Sequence, residues 1–149
     1  MLERLLTWSD RLRQKAREKR QSADFALGRK GEDYAHRHLR AKGYTILARN
    51  FQTRGGAGEV DLVALDGDVY VFVEVKSRSS DAFGAPDRAV SFDKMRKIRR
   101  AAREFLRRKG VAPDTPSGME IKVRYDLVSI VFADQAKLEH YPDAFYLPF

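Results

Sequence analysis

The sequence contains no cysteine. That absence excludes a disulfide-stapled scaffold, every thiolate metal site and thiol catalysis, and it suits a reducing, cytoplasmic setting. No apolar run approaches the ~18 residues of a membrane span, so the chain is expected not to cross a bilayer. The apolar stretches near its start are too short for a secretory signal and lead to no small-residue cleavage site. Glu3, Asp10 and Glu18 argue against an arginine-rich transit peptide. Also missing are a Gly-x-x-x-x-Gly-Lys-Ser/Thr loop, a Gly-x-Gly-x-x-Gly turn and a Gly-x-Ser-x-Gly elbow. Nucleotide-cofactor and serine-hydrolase chemistry are therefore unsupported.

What the 149 residues do hold is positive charge, 29 Lys and Arg against 21 Asp and Glu, for a net +8. It is unevenly spread. Residues 1–20 carry seven basic and three acidic side chains, and residues 94–109 carry nine basic ones against a single acid, Glu104. The remainder is net acidic. Single-sign patches of this kind favour polyanions as partners.

Periodicity divides the chain into a basic N-terminal helix or arm over residues 1–22 and a mixed α/β domain over 23–149. A helix is expected to start at Ser22 or Asp24 as N-cap and to stop at Gly43, with Leu27, Gly31, Tyr34, Ala35, His38 and Leu39 on one face. Strands follow at Tyr44–Phe51, Glu59–Leu65 and Val69–Ser77, then a loop containing Gly84 and Pro86. The next helix, about Ser91 to Lys109, turns Met95, Ile98, Ala102, Phe105 and Leu106 inward. Its Lys94, Lys97, Arg100, Arg103, Arg107 and Arg108 are candidates to neutralise nucleic-acid phosphates. A loop from Pro113 to Gly118 precedes a last strand, Ile121–Phe132. The order is helix, three strands, helix, strand, giving a mixed sheet flanked by helices. The aromatic tail Tyr141–Phe149 is expected to cover the sheet or the first helix. His36, His38 and His140 read as ordinary polar residues, since no pair has the i, i+4 spacing that chelates an ion.

The chemistry concentrates in the second and third strands. A two-residue turn at Asp66-Gly67 would oppose Glu59 to Glu74 and Asp61 to Phe72, diagonal to Glu74. Alternation then gathers Glu59, Asp61, Glu74 and Lys76 on one face, with Asp61 and Glu74 ~7–8 Å apart at the backbone. A turn one residue longer would send Asp61 to the other face. Like charges clustered in a half-buried place call for a cation or a proton, and a hard ion such as Mg²⁺ suits carboxylates. The competing reading is a solvated hairpin end with an ordinary cross-strand Glu–Lys pair. A second Glu-x-Lys, Glu120-Ile121-Lys122, has no acid on an adjoining strand and reads as solvated. The loop Arg54–Gly58 reads as a connection that could also lie against a phosphate.

Several short motifs occur in order: Gly28-Arg-Lys-Gly-Glu32, Gly43-Tyr44, Arg49-Asn50, Gly58-Glu-Val-Asp61, Val71-Phe-Val-Glu-Val-Lys76, Phe83-Gly84, Ala89-Val90, Lys94 and Arg124-Tyr-Asp126. Over residues 24–146 this set resembles the YraN-type bacterial family of proposed endonucleases, themselves similar to archaeal Holliday-junction resolvases. The resemblance implies a restriction-endonuclease-like fold that binds Mg²⁺ or Mn²⁺ and cleaves phosphodiesters. It implies Asp61, Glu74 and the Val75 carbonyl as metal ligands, Lys76 orienting or activating the attacking water, and Glu32 reaching the metal or its waters. Val60 stands where the wider superfamily has proline, and Glu59 is an extra acid, read as support for the ligands.

Three functions remain open at this level. The first is a metal-dependent endonuclease on DNA, including branched or junction DNA, whose two-fold symmetry would favour a homodimer. The second is a nucleic-acid-binding module on the same fold without significant catalysis. The third is an adaptor using the arm and the aromatic tail.

Overall fold

The computed structural model describes residues 2–80, 89–112 and 120–148, with side chains from residue 11 onward. The expected loops around Gly84 and Pro86 and from Pro113 to Gly118, the side chains of Leu2, Leu5, Leu6 and Trp8, and Phe149 lie outside the described residues.

Seven elements follow one another: α1 (Leu2–Ala41), β1 (Thr45–Gln52), β2 (Glu59–Asp66), β3 (Val69–Arg78), α2 (Phe92–Arg108), β4 (Lys122–Phe132) and β5 (Ala136–Tyr141). The strands form one sheet in sequence order. Neighbours are antiparallel except β3 and β4, which run parallel and are joined through α2. The result is the mixed α/β architecture that the periodicity implies, with a fifth strand added.

The expected helix start at Ser22 or Asp24 is not observed, because α1 is one 40-residue helix passing through both positions. The residues before them, Gln14-Lys-Ala-Arg-Glu-Lys-Arg-Gln21, are strong helix formers, so no cap interrupts them. Residues 11–26 are exposed, and from Leu27 onward the helix docks. At Gly31 α1 lies close against β3: a Cβ there would lie within 3.0 Å of the Ser77 side chain. The helix ends at Ala41, and Gly43, with φ of 90°, turns the chain into β1.

Each face of the sheet has its own core. On the α1 side Ala35 and Leu39 pack against Leu62, Ala64, Val71, Val73, Val128 and Ile130. On the α2 side Ile98, Ala102, Phe105 and Leu106 meet Val63, Phe72, Tyr125 and Leu127. Phe72 and Phe105 meet edge to face, and the tail residue Phe145 stacks on Tyr125 at 5.5 Å. The tail thus covers the sheet as expected, though Tyr146 remains exposed. Helix α2 begins at Ser91, whose hydroxyl accepts from the Lys94 N–H.

Candidate functional site

The hairpin turn is at Gly67-Asp68, one residue later than the sequence suggested, with Asp66 paired to Val69 and Leu62 to Val73. The register moves by two residues, so the faces are preserved. Phe72 is paired with Val63 and not with Asp61, and the ladder ends at Leu62–Val73, one residue short of Asp61 and Glu74. Strand β2 changes character here. Val60 packs in the α2-side core and Leu62 in the α1-side core, so the alternation breaks at Asp61. Gly58 permits the approach of β2 to α2, since a Cβ there would lie 2.8 Å from the Ala101 amide nitrogen.

Two carboxylates meet in this opening. Asp61 Oδ2 accepts the Val75 N–H at 2.7 Å. A strand residue's N–H and C=O point to the same side, so the Val75 carbonyl faces the gap that holds Asp61. The Glu74 side chain is 9% exposed, and its Oε2 has no hydrogen-bond donor. Burial, and then the charge of Asp61 beside it, push the Glu74 carboxyl up to about 8. Burial also raises Asp61, against the lowering effect of the Val75 N–H. A pair in this state either shares a proton or takes a cation. Among the described residues no three His, Asp or Glu side chains cluster into a ready-made metal cage. Two carboxylates with a neighbouring carbonyl and an orphaned oxygen nevertheless fit Mg²⁺ or Mn²⁺. Mg²⁺ in particular keeps its waters and completes its shell with substrate oxygens.

The cation actually present is Lys94. Its Nζ lies 2.9 Å from Glu59 Oε1 and 3.6 Å from Glu74 Oε1. Burial alone would lower the Lys94 ammonium, but Glu74, Glu59 and Asp61 outweigh it and hold it above its ordinary value. Lys94 in turn holds Glu59 below the usual glutamate range. The sequence grouped Lys94 with the outer basic face of α2, whereas the structure turns it to the carboxylates. Lys76 Nζ donates to the Ala89 carbonyl. Glu32 approaches from α1, and its Oε2 accepts from Asn50 Nδ2 at 2.8 Å. Burial raises the Glu32 carboxyl, partly countered by the Asn50 hydrogen bond, and Asp61 is near enough to add to the rise.

Basic side chains flank the opening on both sides. Arg100, Arg103 and Arg107 line a groove with Thr53, Arg54, Ala57 and Glu104. Arg100 also donates to the Ala57 carbonyl at 3.4 Å. Lys97 lies 4.0 Å from Asp93, and Arg108 pairs with Glu104 and lies over Phe51. On the α1 side Arg29, Lys30 and Arg49 surround Glu32 and Asn50. Sequence reasoning missed this second basic cluster and the role of Asn50. The signal for Asn50 was present: asparagine is among the few non-glycine residues that adopt positive φ, here 49°.

The carboxylate pair makes metal-free stability depend on pH. Glu74 holds a proton in the folded chain up to about 8 but releases it near 4.5 when unfolded. Its contribution is therefore full at low pH and is lost as pH rises through about 8. Thermal denaturation across that range is expected to show this loss in the wild type but not in Glu74→Gln, and Mn²⁺ should recover it increasingly with pH.

Comparison with known proteins adds a lineage to this geometry. The sequence profile of Uncharacterised protein family UPF0102 matches residues 31–130. A UPF0102 protein of Solibacter usitatus is 47% identical over 118 residues, covering 79% of this chain and 84% of the relative. One from Geobacter metallireducens is 42% identical over 125 residues, covering 83% and 95%. One from Rhodococcus opacus is 44% identical over 124 residues, covering 82% and 98%. No described helix is long and apolar enough to cross a membrane.

Proposed function

The chain belongs to the UPF0102 family, and we propose that it is a Mg²⁺- or Mn²⁺-dependent endonuclease acting on DNA in the cytoplasm, built on a restriction-endonuclease-like core. The observation that carries this reading is the buried Asp61–Glu74 pair, whose Glu74 Oε2 has no hydrogen-bond donor.

Asp61, Glu74 and the Val75 carbonyl would hold the ion. When bound, such an ion polarises the phosphodiester and acidifies a water. Glu32, hydrogen-bonded by Asn50, would hold a water or a proton at the α1 side of the site. Lys76 shares the face of Glu74 and would orient the attacking water once released from the Ala89 carbonyl. Arg54, Arg100, Arg103 and Arg107 would grip the phosphates of the strand. The two-fold symmetry of a junction would ask for a second copy of the chain, which makes a homodimer part of the proposal for branched DNA.

A second reading, a binding module without significant catalysis, draws on one observation. Both lysines near the carboxylates are already engaged, Lys76 by Ala89 and Lys94 by Glu59 and Glu74. Labelled four-way junctions, flaps, duplex and single strands, incubated with Mn²⁺, Mg²⁺ or EDTA, separate the two. Metal-dependent cleavage supports the nuclease, and salt-sensitive binding without cleavage supports the module. Under either reading Arg103→Ala is expected to weaken binding about equally across sequences. It should also reduce the slope of log affinity against log salt by about 1, as read by fluorescence anisotropy.

A further inference from the structure

We propose that Lys94 is a displaceable internal counter-ion, which neutralises the carboxylate cluster until a divalent cation enters and then moves to a phosphate of the nucleic acid. This rests on the nuclease reading for its second half only.

The first half follows from geometry. Glu59 and Glu74 share one ammonium, whose closest partner is Glu59 at 2.9 Å, and Asp61 lies beyond ion-pair range behind Glu74. At 3.6 Å from Glu74 Oε1, Lys94 is in ion-pair range but too far for a good hydrogen bond, and Glu74 Oε2 receives no donor. One positive charge thus serves two glutamates unequally and does not reach between Asp61 and Glu74. A divalent ion entering that gap would face the lysine as a like charge at close range. Lys94 has somewhere to go: its side chain is 26% exposed and its four-carbon stem is flexible.

The second half follows from the position of Lys94 on α2. It lies in the first turn, where the positive end of a 17-residue helix favours an anion. Arg100 comes six residues later, ~9 Å along the axis and about a third of a turn around it, and it lines one groove with Arg103 and Arg107. A strand that leaves that groove and passes the N-terminus of α2 would bring a phosphate to the displaced ammonium, which the long lysine stem lets swing toward it.

The test is Mn²⁺ titration of the full chain without nucleic acid, followed by electron paramagnetic resonance. Lys94→Gln is expected to bind Mn²⁺ about tenfold more tightly than wild type, since a competing positive charge is gone. Lys94→Arg, which keeps the charge, should stay within about twofold of wild type and also guards against a folding artefact. At saturating Mn²⁺, Lys94→Gln should cleave at least ~10-fold more slowly, having lost a charge on the phosphate. Unchanged or weaker Mn²⁺ binding by Lys94→Gln would overturn displacement and make the lysine a structural tether, whether or not the wild type is a nuclease. Tighter Mn²⁺ binding with undiminished cleavage would overturn the handover to phosphate alone. A wild type that cleaves nothing, with the Mn²⁺ shift present, would sink the nuclease reading and leave the counter-ion role standing.

Discussion

Asp61→Asn and Glu74→Gln are each expected to reduce metal-dependent cleavage on the order of a thousandfold, while binding to the same DNA in EDTA stays within about threefold. The separation follows from where the two acids sit. Neither belongs to the arginine groove of α2, so the phosphate contacts that dominate affinity survive. Both substitutions preserve volume. An asparagine at 61 can still offer an oxygen to the Val75 N–H. A glutamine at 74 is neutral without the proton that burial and Asp61 impose on the glutamate, and its amide can donate to Asp61. Neither variant should therefore be less stable than wild type at neutral pH in the absence of metal, and Glu74→Gln should be more stable. Thermal melts and binding isotherms on the same preparations check this. The double variant should lose little beyond either single one, because both residues serve one ion. Cleavage that persists in both variants would place the activity elsewhere and end this assignment of the site.

The parts of the molecule set by strong local patterns were legible in the sequence. The alternating valines of β3 set which side chains share a face, and the apolar stripe Ile98–Ala102–Phe105 sets which side of α2 is buried. The hairpin shows both the reach and the limit of such reasoning. Asp66-Gly67-Asp68 offers two adjacent two-residue turns, and local preference does not choose between them. Shifting from one to the other moves the register by two residues and leaves every side chain on the same face, so the carboxylate grouping stands while the pairing partners change. Strand β5 escaped notice because Ala136-Lys-Leu-Glu-His-Tyr141 is an edge strand, largely exposed and charged, whose apolar alternation is short. Tertiary geometry set the rest. The direction of the Lys94 side chain depends on how far Gly58 lets β2 approach α2, and this decides whether a lysine in a basic run meets water or two glutamates. Spacing along one chain carries no information about that distance.

The largest loss of stability is expected from Asp126→Ala, about 3–5 kcal/mol by thermal or denaturant unfolding. Asp126 is fully buried on the α1 side of the sheet, and all its acceptor capacity is used. Oδ1 accepts from Arg124 Nε at 2.8 Å and from the Asp143 N–H at 3.0 Å, and Oδ2 accepts from Arg124 at 3.0 Å. His140 Nε2, with its side chain 1% exposed, lies 2.8 Å from Oδ2. The sequence took His140 for an ordinary polar residue, but it is the link from β5 into this network. Arg124 extends the network to Asp66 at the end of β2 and to the Tyr44 hydroxyl at the α1–β1 junction. Removing the carboxylate strands a guanidinium, an imidazole and an amide N–H where water has little access. The size of the loss comes from that stranding and not from the attraction itself, since taking the charges out of water has already cost much of it. Replacing both Arg124 and Asp126 by leucine should therefore cost less than Asp126→Ala alone. The pH dependence has a fixed sign. Burial works to raise the Asp126 carboxyl, but His140, Arg124 and the Asp143 N–H outweigh it and hold the group below its ordinary value of 3.8. Its contribution is thus present above 3.8 and is lost as pH falls through the folded value, so wild type should lose stability more steeply in acid than the double-leucine variant. Glu74 faces α2, on the opposite side of the sheet, so the fraction of Asp126→Ala that stays folded should retain whatever cleavage the wild type shows.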